Sequence, residues 1–313
     1  MQQRFNAFAL ARTVAAPALT AVLLATLSAC GGGGSDTPPV STVTSSSVAA
    51  TRYAAQAVVT MSGTNLDSSG LSVTSSGCKN MTRLTSGGLV STATTAYYAC
   101  TVSGAFSSTV VIKSNGNTIA NAAFTVPAPQ VTFTVSNGVT GTGAVNGNIV
   151  LTLMGDKVPA TVDNFLAYVN ASPSFYKGTI FHRIAKLIST PSQTFVIQGG
   201  GYGATVNGQL PAHKATNAPI AIETAGGNNV QWSVAMANGG PGTVTSEFFF
   251  NAMDNTSTLH DGYSVFGNIT PATVPVAQSI LSAPANCTNN ALAGTIDCLP
   301  QPDVTITNAW QSQ

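Results

Sequence analysis

Residues 179–201 read T-I-F-H-R-I, ten further residues, then F-V-I-Q-G-G-G. Short, continuous apolar runs bounded by turn residues suit β-strands, and the triple glycine reads as a tight turn. Within this stretch Arg183 lies close in sequence to an apolar ring, Phe195, and an amide, Gln198. Arginine keeps its proton at working pH, so it serves as a fixed hydrogen-bond donor and not as a proton shuttle. A cation beside an apolar surface suits binding and polarising a neutral group such as a peptide bond.

Four further blocks follow: W-S-V-A-M-A-N at 232–238, S-E-F-F-F-N at 246–251, G-Y-S-V-F-G at 262–267 and V-T-I-T-N-A-W at 304–310. Together with F-H-R-I and V-I-Q-G-G-G, the first three resemble, in order, the cyclophilin family of peptidyl-prolyl isomerases. The resemblance spans most of residues 131–313. It implies a mainly β fold, a closed antiparallel barrel of eight strands capped by two helices, with 304–310 as the closing strand. Apolar Val162, Phe165, Leu166 and Val169 recur at helical spacing within 156–170, and Pro159 suits an early helical position. A second short helix is expected over 275–281.

Carried over by position, the resemblance makes Arg183 the catalytic residue. It makes His182, Phe195, Gln198, Met236, Ala237, Asn238, Glu247, Phe249, Leu259 and Tyr263 the substrate groove. Phe195, Met236, Phe249 and Leu259 are expected to hold a proline ring. Strand alternation puts Glu247 and Phe249 on one face, with Phe248 and Phe250 towards the core. Rotation about a Xaa–Pro bond makes and breaks no bond, so it needs no nucleophile and no cofactor. It needs preferential binding of the twisted amide, whose nitrogen gains lone-pair character as conjugation is lost.

Three features depart from the family pattern. Glu247 stands where glutamine is usual, and its carboxylate is expected beside Arg183, either orienting the guanidinium or occupying its donors. Thr258 replaces a frequent aromatic. The segments 185–194 and 283–302 are long, and the second, holding Cys287 and Cys298, is expected to be a stapled surface loop. These departures keep open a second reading, a proline-peptide binding module or chaperone with weak turnover.

The amino-terminal half reads differently. Arg4 and Arg12 precede an apolar segment from Ala15 to Ala29, followed by L-S-A-C at 27–30. The run is too short to span a bilayer comfortably. It resembles the signal and lipobox of bacterial lipoproteins, implying cleavage after residue 29, a lipid anchor at Cys30 and an outer-membrane address facing the periplasm. Residues 30–47, rich in Gly, Ser, Thr and Pro, read as a flexible linker. Residues 48–128 carry short apolar runs separated by turn signals, with Asn115-Gly116 as a hairpin, and suggest a small Ig-like β-sandwich. Pro127-Ala128-Pro129 marks its end, leaving 129–313 as the isomerase domain. The sandwich is read as a spacer in preference to an adhesin.

Cysteine usage fits an oxidising compartment. Besides Cys30, the chain has Cys78, Cys100, Cys287 and Cys298. Three connectivities are open, of which local pairing within each domain is the simplest. No cysteine pair has the two-to-four-residue spacing of structural zinc, and the histidines at 182, 213 and 260 lie far apart, so no metal is expected. Charged residues make up 7% of the chain and the formal net charge is +1, which argues against a nucleic-acid partner. G-X-S-X-G and C-X-X-C are absent. The partners expected are proline-containing polypeptides and, through Cys30, a membrane; the sequence assigns no oligomeric state.

Overall fold

Many Ser, Thr, Val and Asn residues, and few of the long charged residues that coat exposed helices, favour strands and turns here. The computed structural model describes residues 37–240, 242–259, 262–290 and 294–313, without the side chain of Ser192. The expected leader and Cys30 lie outside the described residues.

Seven strands come first: β1 (Thr42–Ala49), β2 (Gln56–Thr64), β3 (Leu71–Thr74), β4 (Cys78–Arg83), β5 (Thr95–Val102), β6 (Ser107–Ser114) and β7 (Asn117–Thr125). They form two antiparallel sheets, ordered β1-β2-β5-β4 and β3-β6-β7. That is the ABED and CFG order of a constant-type immunoglobulin sandwich. Cys78 and Cys100 are joined, linking neighbouring strands β4 and β5 within one sheet. Asn115 and Gly116 take φ of 49° and 84°, the left-handed pair that a two-residue hairpin requires. One boundary moves: β1 takes up residues expected as linker, because its backbone finds a partner in β2. Further back, Pro38 and Pro39 carbonyls accept hydrogen bonds from Asn115 and Ser68.

The second part contains β8 (Gln130–Ser136), β9 (Asn146–Leu153), α1 (Pro159–Val169), β10 (Thr179–Leu187), β11 (Thr190–Gly203), β12 (Ser233–Met236) and β13 (Phe248–Asn251). It continues with α2 (Thr256–Leu259), β14 (Val265–Ile269), α3 (Val274–Ser279), β15 (Ala285–Asn290), β16 (Thr295–Pro300) and β17 (Thr305–Gln311). Strands β11-β13-β12-β14-β9-β8-β17-β10 pair in that order, and β10 pairs back to β11, closing an eight-stranded antiparallel barrel. Phe133, Phe165, Tyr176, Phe248 and Phe266 are fully buried within it. The expected helix over 156–170 is α1, with Val162, Phe165, Leu166 and Val169 all buried. Val158 at its N-cap offers no side-chain oxygen. Instead the Glu223 carboxylate accepts from Thr161 N–H at 2.6 Å and from Thr161 Oγ1–H at 2.7 Å. An acidic group there also suits the positive end of the helix dipole.

The long segment 283–302 is not an irregular loop. It is the hairpin β15–β16, with Cys287 and Cys298 directly opposed and joined. The other long segment extends β10 and β11 beyond the barrel, with Leu187 opposite Thr190. The two extensions pair with each other, Ile184 to Cys298 and Ala185 to Asp297. A strand edge left open by one is covered by the other.

Sandwich and barrel share one hydrophobic core cluster. Tyr53, fully buried, joins them: its hydroxyl donates to the Gly155 carbonyl at 3.2 Å and accepts from Gly104 N–H at 3.0 Å.

Candidate active site

Arg183 on β10 lies opposite Gln198 on β11, and guanidinium Nη1 donates to the amide oxygen at 3.1 Å. The other end of that amide, Nε2, donates to Glu247 Oε2 at 2.6 Å. This second bond assigns which way the amide faces. Gln198 thus stands between acid and cation, and Glu247 is not bonded to Arg183 as expected. Its carboxylate meets His213 Nε2 at 2.8 Å and His182 Nε2 at 3.6 Å.

The acid that pairs with Arg183 comes from the stapled hairpin. Arg183 Nε donates to Asp297 Oδ1 at 2.8 Å and Nη2 donates to Thr295 Oγ1 at 3.2 Å. Nothing in the sequence placed 295–297 beside residue 183; the cysteine spacing hinted at the staple but not at what it would touch. Burial pushes the Asp297 carboxyl up, but hydrogen bonds from Asn290 and Thr295 and the Arg183 charge outweigh it and hold it below the ordinary carboxylate range.

Apolar walls come from strand alternation. Phe248 and Phe250 point into the barrel core, while Phe249 joins a smaller cluster outside it with Phe195, Val196 and Ala235. Tyr263 packs edge-on against Phe249, ring centres 5.4 Å apart. Arg183, Phe195, Gln198, Phe249, Leu259 and Tyr263 line a cavity of about 110 Å³. Its small size suits a single ring more than a large ligand. Ala237 and Asn238 also border it and are shared with a neighbouring cavity of about 300 Å³ that includes His213, Thr243 and Glu247.

Two expected groove residues are elsewhere. Met236 is fully buried in the barrel core, because positions 234 and 236 of β12 face inward while Ala235 and Ala237 face the groove. His182 borders not the proline-sized cavity but the opening on the other side of Arg183, with Asp297 and the hairpin. Its ring meets Tyr202 edge-on at 4.7 Å. Burial pushes its pKa down, against the raising effect of Glu247 and with a further lowering by Arg183.

The triple glycine is part of strand β11, not a turn. Gly200 has φ of 88°, and a Cβ there would sit 2.9 Å from the Phe248 ring. At Gly201 a Cβ would fall 2.1 Å from Glu247 Oε1. The strand is bare of side chains because the aromatic core and the acid lie against it.

A guanidinium in the wall of a small cavity, flanked by an amide and aromatic rings, matches what a twisted amide needs. Residues 139–309 match the family model for cyclophilin type peptidyl-prolyl cis-trans isomerases. The chain belongs to the cyclophilin family. Among curated relatives, peptidyl-prolyl cis-trans isomerase cyp18 of Streptomyces antibioticus is 36% identical over 167 residues, which is 50% of this chain and 89% of that protein. Peptidyl-prolyl cis-trans isomerase A of Dickeya dadantii is 38% identical over 129 residues, 39% of this chain and 60% of that protein. A peptidyl-prolyl cis-trans isomerase of Acinetobacter baylyi is 36% identical over 146 residues, 45% and 70% of the two chains. In this cyclophilin the matched region runs from before β9 into β17 and includes the β15–β16 hairpin, while barrel strand β8 and the sandwich precede it.

Proposed function

We propose that this cyclophilin catalyses rotation about Xaa–Pro bonds in exported polypeptides. The observation that carries the reading is the Arg183 guanidinium in the wall of the cavity formed with Phe195, Phe249, Leu259 and Tyr263. The proline ring occupies that cavity. As the C–N bond twists, Arg183 donates to the proline nitrogen, and partial exclusion of water by the bound ring strengthens that one charged donor. Backbone groups near Ala237 and Asn238 hold one side of the peptide while the other turns. The barrier to be lowered is about 18–20 kcal/mol.

Tethering through Cys30 places the enzyme at a bacterial outer membrane, facing the periplasm. The basic and apolar leader, the L-S-A-C block and the two disulfides support this reading. Cys30→Ser releases the protein from the membrane fraction if the tether is real; retention there sinks it.

Exchange spectroscopy on a short Xaa–Pro peptide tests the activity. Wild type accelerates exchange, and Arg183→Ala removes about two to three orders of magnitude, as loss of one preorganised donor does. Peptide binding without acceleration by wild type overturns the enzyme reading in favour of a binding module.

A further inference from the structure

The hairpin extension does more than cover a strand edge. Asp297 lies opposite Ala185, two residues along β10 from Arg183, so its carboxylate is on hand for the guanidinium. Both carboxylate oxygens are engaged: Oδ1 by Arg183 Nε at 2.8 Å and Thr295 Oγ1 at 2.9 Å, Oδ2 by Asn290 Nδ2 at 2.9 Å. Thr295 in turn accepts from Arg183 Nη2. With Nη1 bonded to Gln198, three of the five guanidinium N–H groups are held, and among the described residues two remain, one on each terminal nitrogen.

We propose that Asp297 is a positioning residue for the isomerase reaction, holding Arg183 so that its remaining N–H groups serve the proline-sized cavity. The inference rests on the isomerase reading and goes beyond it in naming what orients the donor. A free arginine side chain samples many rotamers, and a donor fixed in advance need not be ordered when the amide twists. The contact also differs from an ordinary surface pair. Asp297 and Arg183 have side chains only 21% and 26% exposed, and they sit on the paired strands β16 and β10, the first of which is stapled to β15 by Cys287–Cys298. Such geometry is held by the backbone and not by two flexible chains finding each other, which is what makes most surface pairs weak.

The test compares wild type, Asp297→Ala, Asp297→Glu and Arg183→Ala by exchange spectroscopy on one Xaa–Pro peptide. Asp297→Ala is expected to lower kcat about tenfold or more, the scale of a misplaced catalytic group, with KM unchanged because the cavity walls are intact. Asp297→Glu, which keeps the charge, recovers most of the loss. In parallel, the Arg183 Nε–H signal, assigned by its absence in Arg183→Ala, loses its protection from solvent exchange in Asp297→Ala. Near-wild-type kcat in Asp297→Ala, or a gain, overturns the proposal while wild-type activity and its loss in Arg183→Ala leave the isomerase reading standing. A parallel change in KM and melting temperature, without the Nε–H change, also overturns it by marking a structural role. Absence of activity in wild type instead overturns the isomerase reading itself.

Discussion

The Gln198 amide is inserted between Glu247 and Arg183, donating to the acid at 2.6 Å and accepting from the guanidinium at 3.1 Å. It acts as a spacer that keeps a carboxylate from capturing the cation. Shortening it opens that route: Gln198→Ala should let Glu247 draw Arg183 away from the cavity and lower kcat about tenfold. Adding Glu247→Ala should restore part of the loss. A double variant no faster than Gln198→Ala would sink the spacer idea.

Tyr53 ties the sandwich to the barrel through one hydroxyl. Tyr53→Phe strands the Gly155 carbonyl and the Gly104 N–H without that partner, and should cost about 1–3 kcal/mol. Burial, the largest influence on the phenol, pushes its pKa up to about 12, so the group stays a donor across the usable pH range. Chemical denaturation of wild type and variant measures the difference; equal midpoints would remove Tyr53 from the account.

Acid should weaken the fold in two separate windows. His182 is pushed below its ordinary 6.5 chiefly by burial, so the unfolded chain binds that proton first. Stability then falls as pH drops below about 6.5 and levels off below the lowered folded value. The Asp297 carboxyl is held below its ordinary 3.8, so its contribution is present above that value and is lost as pH falls through the lower folded one. Melting temperature against pH should lose the first slope in His182→Asn and the second in Asp297→Asn. Unchanged slopes in both would refute the assignment.

The Cys287–Cys298 staple closes the hairpin one residue from Asp297. Replacing both cysteines by serine should free the hairpin and lower kcat in the same direction as Asp297→Ala, with KM little altered. A loop closure of this size contributes roughly 3 kcal/mol in the chain-entropy model, so some loss of local order is expected as well. The Cys78→Ser/Cys100→Ser pair, far along the chain in the sandwich, serves as control. Equal kcat in both double variants and wild type would detach the staple from the reaction.

Helix α1 and the outward face of Phe249 could be read from residue order alone, because alternation and helical spacing are local properties that side chains impose on their own segment; the closed barrel followed only from the resemblance to cyclophilins. The same rule, applied to β12, corrects Met236: its inward parity with Val234 was present in the sequence, but carry-over by position had placed it in the groove. Glu247 and Arg183 could be matched to a family pattern, yet which acid meets the arginine could not. That depended on two distant extensions pairing edge to edge, and hydrogen bonds between strand backbones are indifferent to side-chain identity, so the pattern of residues carries little trace of the choice. For the same reason the sequence marked Cys287 and Cys298 as a staple but not its neighbour Asp297 as the partner of Arg183. Local chemistry determined the cation, the rings and the strands; only closure of the chain in three dimensions decided what holds the cation in place.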